Sequence, residues 1–204
     1  MLIRVGTLAD LQEVFERFQE DFPRFEQLDR GHVELLMAKG RYHLLLAKHR
    51  VFDLTIGYAF VFEPATVPML WLDYMAIDAR FQSAGYGTLL FNKIVEFRMD
   101  VLGVLLEVEK ADSGDPDVRR NQERRLNFYS RLGASALDVN YLLPTPNGGV
   151  AMYLLFRPSP GVHMLPHDQI KVTISEAYDY IHGDIADRDA QLKSFIHTIQ
   201  DAHV

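Results

Sequence analysis

The run Gln82-Ser83-Ala84-Gly85-Tyr86-Gly87 has the residue types needed to hold an anion on the main chain. Gly85 and Gly87 carry no Cβ, so an oxygen-rich group can come close to the backbone there. A helix starting at such a turn leaves its first N–H groups without intrahelical acceptors and adds the positive end of its dipole. Together these features form a cradle for a pyrophosphate. The spacing narrows the ligand. The pattern G-x-x-x-x-G-K-[ST] is absent and so is G-x-G-x-x-G, which argues against a Walker-type nucleotide loop and against a dinucleotide fold.

Other reactive residue types are excluded or dispersed. The chain has no cysteine, which removes disulfides, thiolate metal sites and a cysteine nucleophile. Its eight histidines show no H-E-x-x-H or other helical ligand spacing, so no metal is expected. Ser83 does not sit in G-x-S-x-G, and a hydrolase nucleophile is not supported. With 28 acidic and 21 basic residues in 204, the formal charge is −7. An acidic surface repels phosphate backbones and anionic lipid, so neither nucleic acid nor membrane is an expected partner. The cluster Arg119, Arg120, Arg124 and Arg125 is interrupted by Glu123 and is too short to reverse that. The first residues lack the basic start and apolar stretch of a signal peptide, and no apolar run reaches membrane-spanning length. A cytoplasmic location is expected.

Positioning the glycine turn requires a strand before it and a helix after it. Leu2 to Val5 is a short strand. Thr7 with Asp10 resembles a capping box, and Leu11, Val14, Phe15 and Phe18 repeat at helical spacing behind it. A second helix is expected from His32 to about Lys39. Three strands follow, Tyr42 to Ala47, Thr55 to Phe62 and Met69 to Ile77, with a hairpin across the 'HRVFDL' link. Leu89, Leu90, Ile94 and Phe97 then predict a helix from about Gly85 to Val101, stopped by Gly103. A strand at Val104 to Val108, a polar loop over Ala111 to Arg119 and a helix from about Asn121 to Leu132 come next. Strands near Ala136 to Tyr141 and Val150 to Phe156 complete the pattern. Residues 1–158 therefore read as one domain, and 159–204 as a helical extension. Leu192, Phe195, Ile196 and Ile199 would form an apolar stripe on its last helix. Such a stripe must pack on its own domain or on a partner subunit, and a homodimer is the favoured arrangement.

The spacing Q-x-x-G-x-G after a strand resembles the coenzyme A pyrophosphate loop of the GNAT acetyltransferase superfamily. In that family the loop follows the fourth strand and opens the third helix, as here, and a later helix carries an aromatic-Tyr pair before a glycine-ended turn. The segment 'LNFYSRLGA' supplies Phe128, Tyr129 and Gly133 at matching spacing. The resemblance runs over about residues 1–156. It implies an α/β fold with a mixed, mostly antiparallel sheet flanked by helices, and acetyl-CoA as cosubstrate. It also implies backbone contacts to the pantetheine arm from Met75, Ala76 and Ile77. Gln82, Ser83, Ala84, Gly85, Tyr86, Gly87 and Thr88 would hold the pyrophosphate, and Tyr129 would stand near the sulfur as proton donor. Ala84 departs from the family, where an arginine is frequent, and Gln122 stands where an asparagine is usual.

Acyl transfer to an amine makes its own demands. An ammonium must lose a proton before it can attack, and the departing thiolate or oxyanion needs a donor. Asp73 shares a strand face with Met75 and Ile77 by two-residue alternation, and Glu107 shares one with Glu109. Asp73 and Glu107 are therefore the base candidates. The two glutamates equally fit a solvated face or ion pairs to the nearby arginines; a core aromatic is the lesser alternative for Tyr129. The acceptor would be a primary amine on a small molecule, a protein N-terminus or a lysine. A coenzyme A-binding protein that keeps the fold without the chemistry is the rival reading.

Overall fold

The structure, a computed structural model, describes residues 1–52 and 54–203. Asp53 of the 'HRVFDL' link lies outside the described residues. Thr7 turns the chain out of β1 (Leu2–Val5) into α1 (Leu8–Asp21). Its hydroxyl accepts from the Asp10 N–H at 3.3 Å while the Asp10 carboxylate accepts from the Thr7 N–H at 2.7 Å. This reciprocal cap satisfies two donors that the helix start would otherwise leave bare. Leu11, Val14, Phe15 and Phe18 are the buried face of α1, as their spacing predicts. After α2 (Arg30–Ala38) come β2 (Tyr42–Lys48), β3 (Thr55–Phe62) and β4 (Leu70–Ile77). A 3-10 turn over Ala79–Phe81 leads to α3 (Tyr86–Val95). The chain continues through β5 (Gly103–Glu109), α4 (Pro116–Arg131), β6 (Ser135–Ala136), β7 (Leu142–Leu143) and β8 (Val150–Pro158). It ends with β9 (Met164–Leu165), α5 (His167–Tyr180), α6 (Arg188–Phe195), a 3-10 turn over Ile196–Thr198 and β10 (Ala202–His203).

The fold is mixed α/β with a mostly antiparallel sheet and flanking helices. Contacts divide it into two units, Met1–Glu63 with Leu72–Met99 and Pro64–Trp71 with Asp100–Val204. In the first, the strands run in the order β1-β2-β3-β4. Every residue of β3 is buried, which is why its sequence after Thr55 is largely apolar rather than alternating. Phe18 of α1 packs edge-on against Phe60 at 5.8 Å and Tyr74 at 4.8 Å. Each such buried side chain contributes about 1.5–3 kcal/mol. In the second unit, β8 pairs antiparallel with β5, β6 and β7, and β9 pairs with β10. Phe195 of α6 lies against Tyr141 at 5.7 Å and Tyr178 at 6.1 Å, with Phe195 and Ile199 buried. The stripe expected on one helix is divided, since α6 ends at Phe195, Ile196 falls in the 3-10 turn and Ile199 beyond it, and Leu192 and Ile196 are half-buried.

Three segments differ from the sequence expectation. Helix α3 ends at Val95 and does not reach Val101. Phe97 turns aside to meet the His43 ring at 5.5 Å, and Arg98 pairs with Glu63 at 2.7 Å. Gly103 does not stop that helix. It opens β5, where a Cβ would lie 2.3 Å from the Arg157 carbonyl oxygen. Helix α4 starts at Pro116, so the polar loop is shorter than expected. The Asp115 side chain accepts from the N–H of Asp117 at 2.9 Å and Val118 at 3.4 Å, and proline at the first helical position needs no acceptor. Residues 136–141 form no strand beyond Ala136, because the Val139 N–H closes a tight turn onto Leu137 O at 2.9 Å.

Candidate functional site

The glycine turn is anchored at both ends in the first unit. Upstream, the Asp78 N–H donates to Ile56 O at 2.9 Å, which ties the end of β4 to β3. The Asp78 carboxylate accepts from the Arg80 N–H at 2.9 Å and forms ion pairs with Arg80 at 2.7 Å and Arg17 at 3.7 Å. Chiefly through the Arg80 side chain, its carboxyl is held down at about 2. The Gln82 side chain reaches back to donate to Ile77 O at 3.0 Å. Downstream, the Phe81 and Tyr86 rings meet edge-on at 6.1 Å.

Between these anchors the backbone turns sharply. Ser83 has φ 63° and Gly85 φ 81°, both left-handed, and Gly85 occupies the N-cap of α3. The left-handed conformation is one that glycine adopts without the strain a Cβ brings, and no atom lies within 4 Å of where a Cβ would sit. The first intrahelical bond is Leu89 N–H to Gly85 O at 3.1 Å. The N–H groups of Ser83, Ala84, Gly85, Tyr86, Gly87 and Thr88 donate to no acceptor among the described residues. Gln82 to Gly85 are exposed and Tyr86 to Thr88 half-buried. A run of bare donors at a helix N-terminus is a site for an anion. Ala84 is exposed and adds no charge there.

Met75, Ala76 and Ile77 are half-buried at the end of β4. Asp73, on the same strand, accepts a hydrogen bond from the Tyr42 hydroxyl through Oδ2. Burial raises its carboxyl to about 7, and the Tyr42 bond opposes that rise. Tyr42 and the Asp78–Arg80 anchor escaped the sequence reading. The anchor had a local signal, since an aspartate two residues before an arginine can cap its own turn. Tyr42 had none, because its partner lies 31 residues away.

The second unit holds the other candidates. Glu107 and Glu109 are half-buried on β5. Glu109 is engaged by Arg125 of α4, in the ion pair that the arginine cluster allowed for. Glu107 lies close enough to Tyr178 of α5 for its charge, after burial, to push the Tyr178 hydroxyl upward, and that hydroxyl donates to Leu142 O. Tyr129 is buried near the end of α4 with the Phe128 ring edge-on at 5.0 Å. Burial pushes its hydroxyl up to about 12, with Arg125 opposing. Gln122 bonds locally, accepting from the Ser113 N–H at 3.4 Å. Among the described residues no group of three His, Asp or Glu could hold a metal ion, and no helix is long and apolar enough to cross a membrane.

No known family profile matches the chain, and no curated protein sequence matches it. Solved structures do. A protein from Bacteroides thetaiotaomicron described as a GNAT-family acetyltransferase superposes with a TM-score of 0.72 at 21% identity, covering 90% of this chain and 99% of its own. That overlap extends past Phe156. NAA60 of Arabidopsis thaliana, solved in complex with acetyl-CoA, gives 0.60 at 12% identity over 78% of this chain and 99% of its own. A spermidine N-acetyltransferase chimera from Vibrio cholerae and hSSAT gives 0.58 at 12% identity over 85% and 99%. The chain therefore has the GNAT acetyltransferase fold.

Proposed function

We propose that the protein is an N-acyltransferase that moves an acetyl group from acetyl-CoA to a primary amine by direct transfer in a ternary complex. The observation that carries this reading is the run of six backbone N–H groups, from Ser83 to Thr88, with no acceptor among the described residues at the start of α3. Such donors suit the pyrophosphate of coenzyme A, with the Gln82 side chain bracing the turn. The main chain of Met75, Ala76 and Ile77 would lie along the pantetheine arm. Asp73, with its carboxyl near 7, has the basicity to take a proton from an incoming ammonium, and Glu107 is the second candidate. Tyr129, neutral at physiological pH, keeps a proton to give to the departing thiolate. No metal and no covalent intermediate is called for. The chain would act in the cytoplasm, on a small-molecule amine or on the amine of a protein N-terminus or lysine. It would engage neither nucleic acid nor membrane, with a homodimer as its proposed assembly.

Calorimetric titration with acetyl-CoA tests the cradle, and free-thiol release across a panel of amines tests transfer. Binding with thermal stabilisation is expected. No heat and no stabilisation at millimolar ligand would rule the reading out. Binding without thiol release from any amine would favour the rival, a coenzyme A-binding protein without catalysis.

A further inference from the structure

Tyr42, the first residue of β2, is 1% exposed, and its ring stacks on Phe60 of β3 at 5.5 Å with planes 16° apart. A ring clamped that way presents its hydroxyl in one direction, and the hydroxyl donates to Asp73 Oδ2 on β4. The bond reaches from one neighbour of β3 to the other. Asp10, Glu63, Asp78 and Glu109 are each held by an arginine. Asp73 is held by a neutral hydroxyl, and among the described residues no cation pairs with it. An arginine would stabilise the anion so strongly that it could not accept a proton near neutrality. A hydroxyl fixes the carboxylate and leaves it basic.

We propose that Tyr42 is a positioning residue, whose hydroxyl holds Asp73 through Oδ2 so that Oδ1 takes the proton of the acceptor ammonium. The inference rests on the acyl-transfer reading above. In the step, an ammonium N–H bond breaks as Asp73 Oδ1–H forms. The freed nitrogen pair makes the C–N bond to the thioester carbon, and the C–S bond breaks with its electrons on sulfur. Nitrogen loses a second proton as sulfur gains one, and Asp73 returns its proton to solvent. Tyr42 stays neutral throughout. Two influences on Asp73 are thereby set against each other. Burial favours the acid, and the hydroxyl bond favours the anion.

The test uses the full chain with carboxyl-labelled aspartate and ring-labelled tyrosine, followed by NMR across pH, together with pH–rate profiles for an amine found in the panel. In the wild type the Tyr42 Cζ resonance should move with the Asp73 midpoint. Tyr42→Phe should raise that midpoint by about one unit and move the acid limb of kcat with it. It should also lower kcat at pH 7 about tenfold, leaving KM for acetyl-CoA unchanged. An Asp73 midpoint that stays put in Tyr42→Phe overturns the proposal. So does a Tyr42 Cζ resonance indifferent to the Asp73 titration, a result that needs no variant to fold. An active enzyme whose acid limb ignores Tyr42→Phe removes the role of Tyr42 alone. Failure to acetylate any amine, even with the two titrations linked, removes the acyl-transfer reading and the base with it.

Discussion

Two strands, one in each unit, carry half-buried carboxylates that are held in opposite ways. On β5, Glu109 faces the guanidinium of Arg125; on β4, Asp73 receives a tyrosine hydroxyl. A guanidinium brings a full charge to the carboxylate, whereas at Asp73 burial raises the carboxyl and the Tyr42 hydroxyl opposes that rise without bringing a charge. Burial and the partner of a carboxylate, and not its place on a strand alone, bear on whether it can serve as a base.

The most disruptive change acts on the cradle in the first unit. Gly85→Asp puts a side chain and a negative charge against the anion site, so acetyl-CoA binding should disappear at millimolar ligand in calorimetry. Retained binding would move the cofactor elsewhere. The comparison itself breaks if the carboxylates respond alike. Asp73→Asn should cut turnover by about 100-fold or more, and Glu109→Gln should leave it within about twofold. A reversed order would hand the base to β5, and Glu107→Gln would then flatten the alkaline rise of the rate. Tyr129→Phe should lower turnover about 10- to 1000-fold with coenzyme A affinity nearly unchanged, as removal of a proton donor predicts. Unchanged turnover would leave Tyr129 as packing.

The smaller effects concern stability. Phe195→Ala removes a ring packed on Tyr141 and Tyr178 and should cost about 3–5 kcal/mol. Deleting residues after Asp184 should lower the melting temperature further, and sedimentation shows whether the mass state changes. Finally, the raised Asp73 carboxyl makes stability depend on pH. The native state holds the proton up to about 7, while an unfolded aspartate releases it near the ordinary value of 3.8. The contribution is full below that lower value and is lost as pH rises through about 7. Asp73→Asn should therefore melt a few degrees higher than the wild type at pH 8, with the gap closing at pH 4. A gap independent of pH would mean that Asp73 is ionised in the native protein across this range.

Much of the frame was legible because its causes are local. The Thr7–Asp10 box, the apolar face of α1, the buried run of β3 and the glycine turn before α3 each depend on residues within a few positions of one another. At the end of α3 a distant contact overrode a local pattern. Phe97 left the helical repeat to meet His43, 54 positions earlier by residue number. The start of α4 was missed although its signal was local, since Asp115 and Pro116 spell a cap and a first helical residue.

The sequence by itself determined that a glycine-bearing turn would join a strand to a helix and offer backbone donors to an anion. Bare N–H groups at a helix start follow from chain direction, and a glycine there lets an anion approach the main chain. Which partner and how much burial each carboxylate receives was decided only by the tertiary structure. Asp73, Glu107 and Glu109 are alike in sequence, each an acid on a strand, and what separates them is the burial and the side chain that the fold brings to each. For Glu109 that is Arg125, 16 residues on; for Asp73 it is Tyr42, 31 residues back across an intervening strand. Proton affinity depends on charge and hydrogen bonding within a few ångströms in space, and residue spacing along the chain carries no record of that neighbourhood.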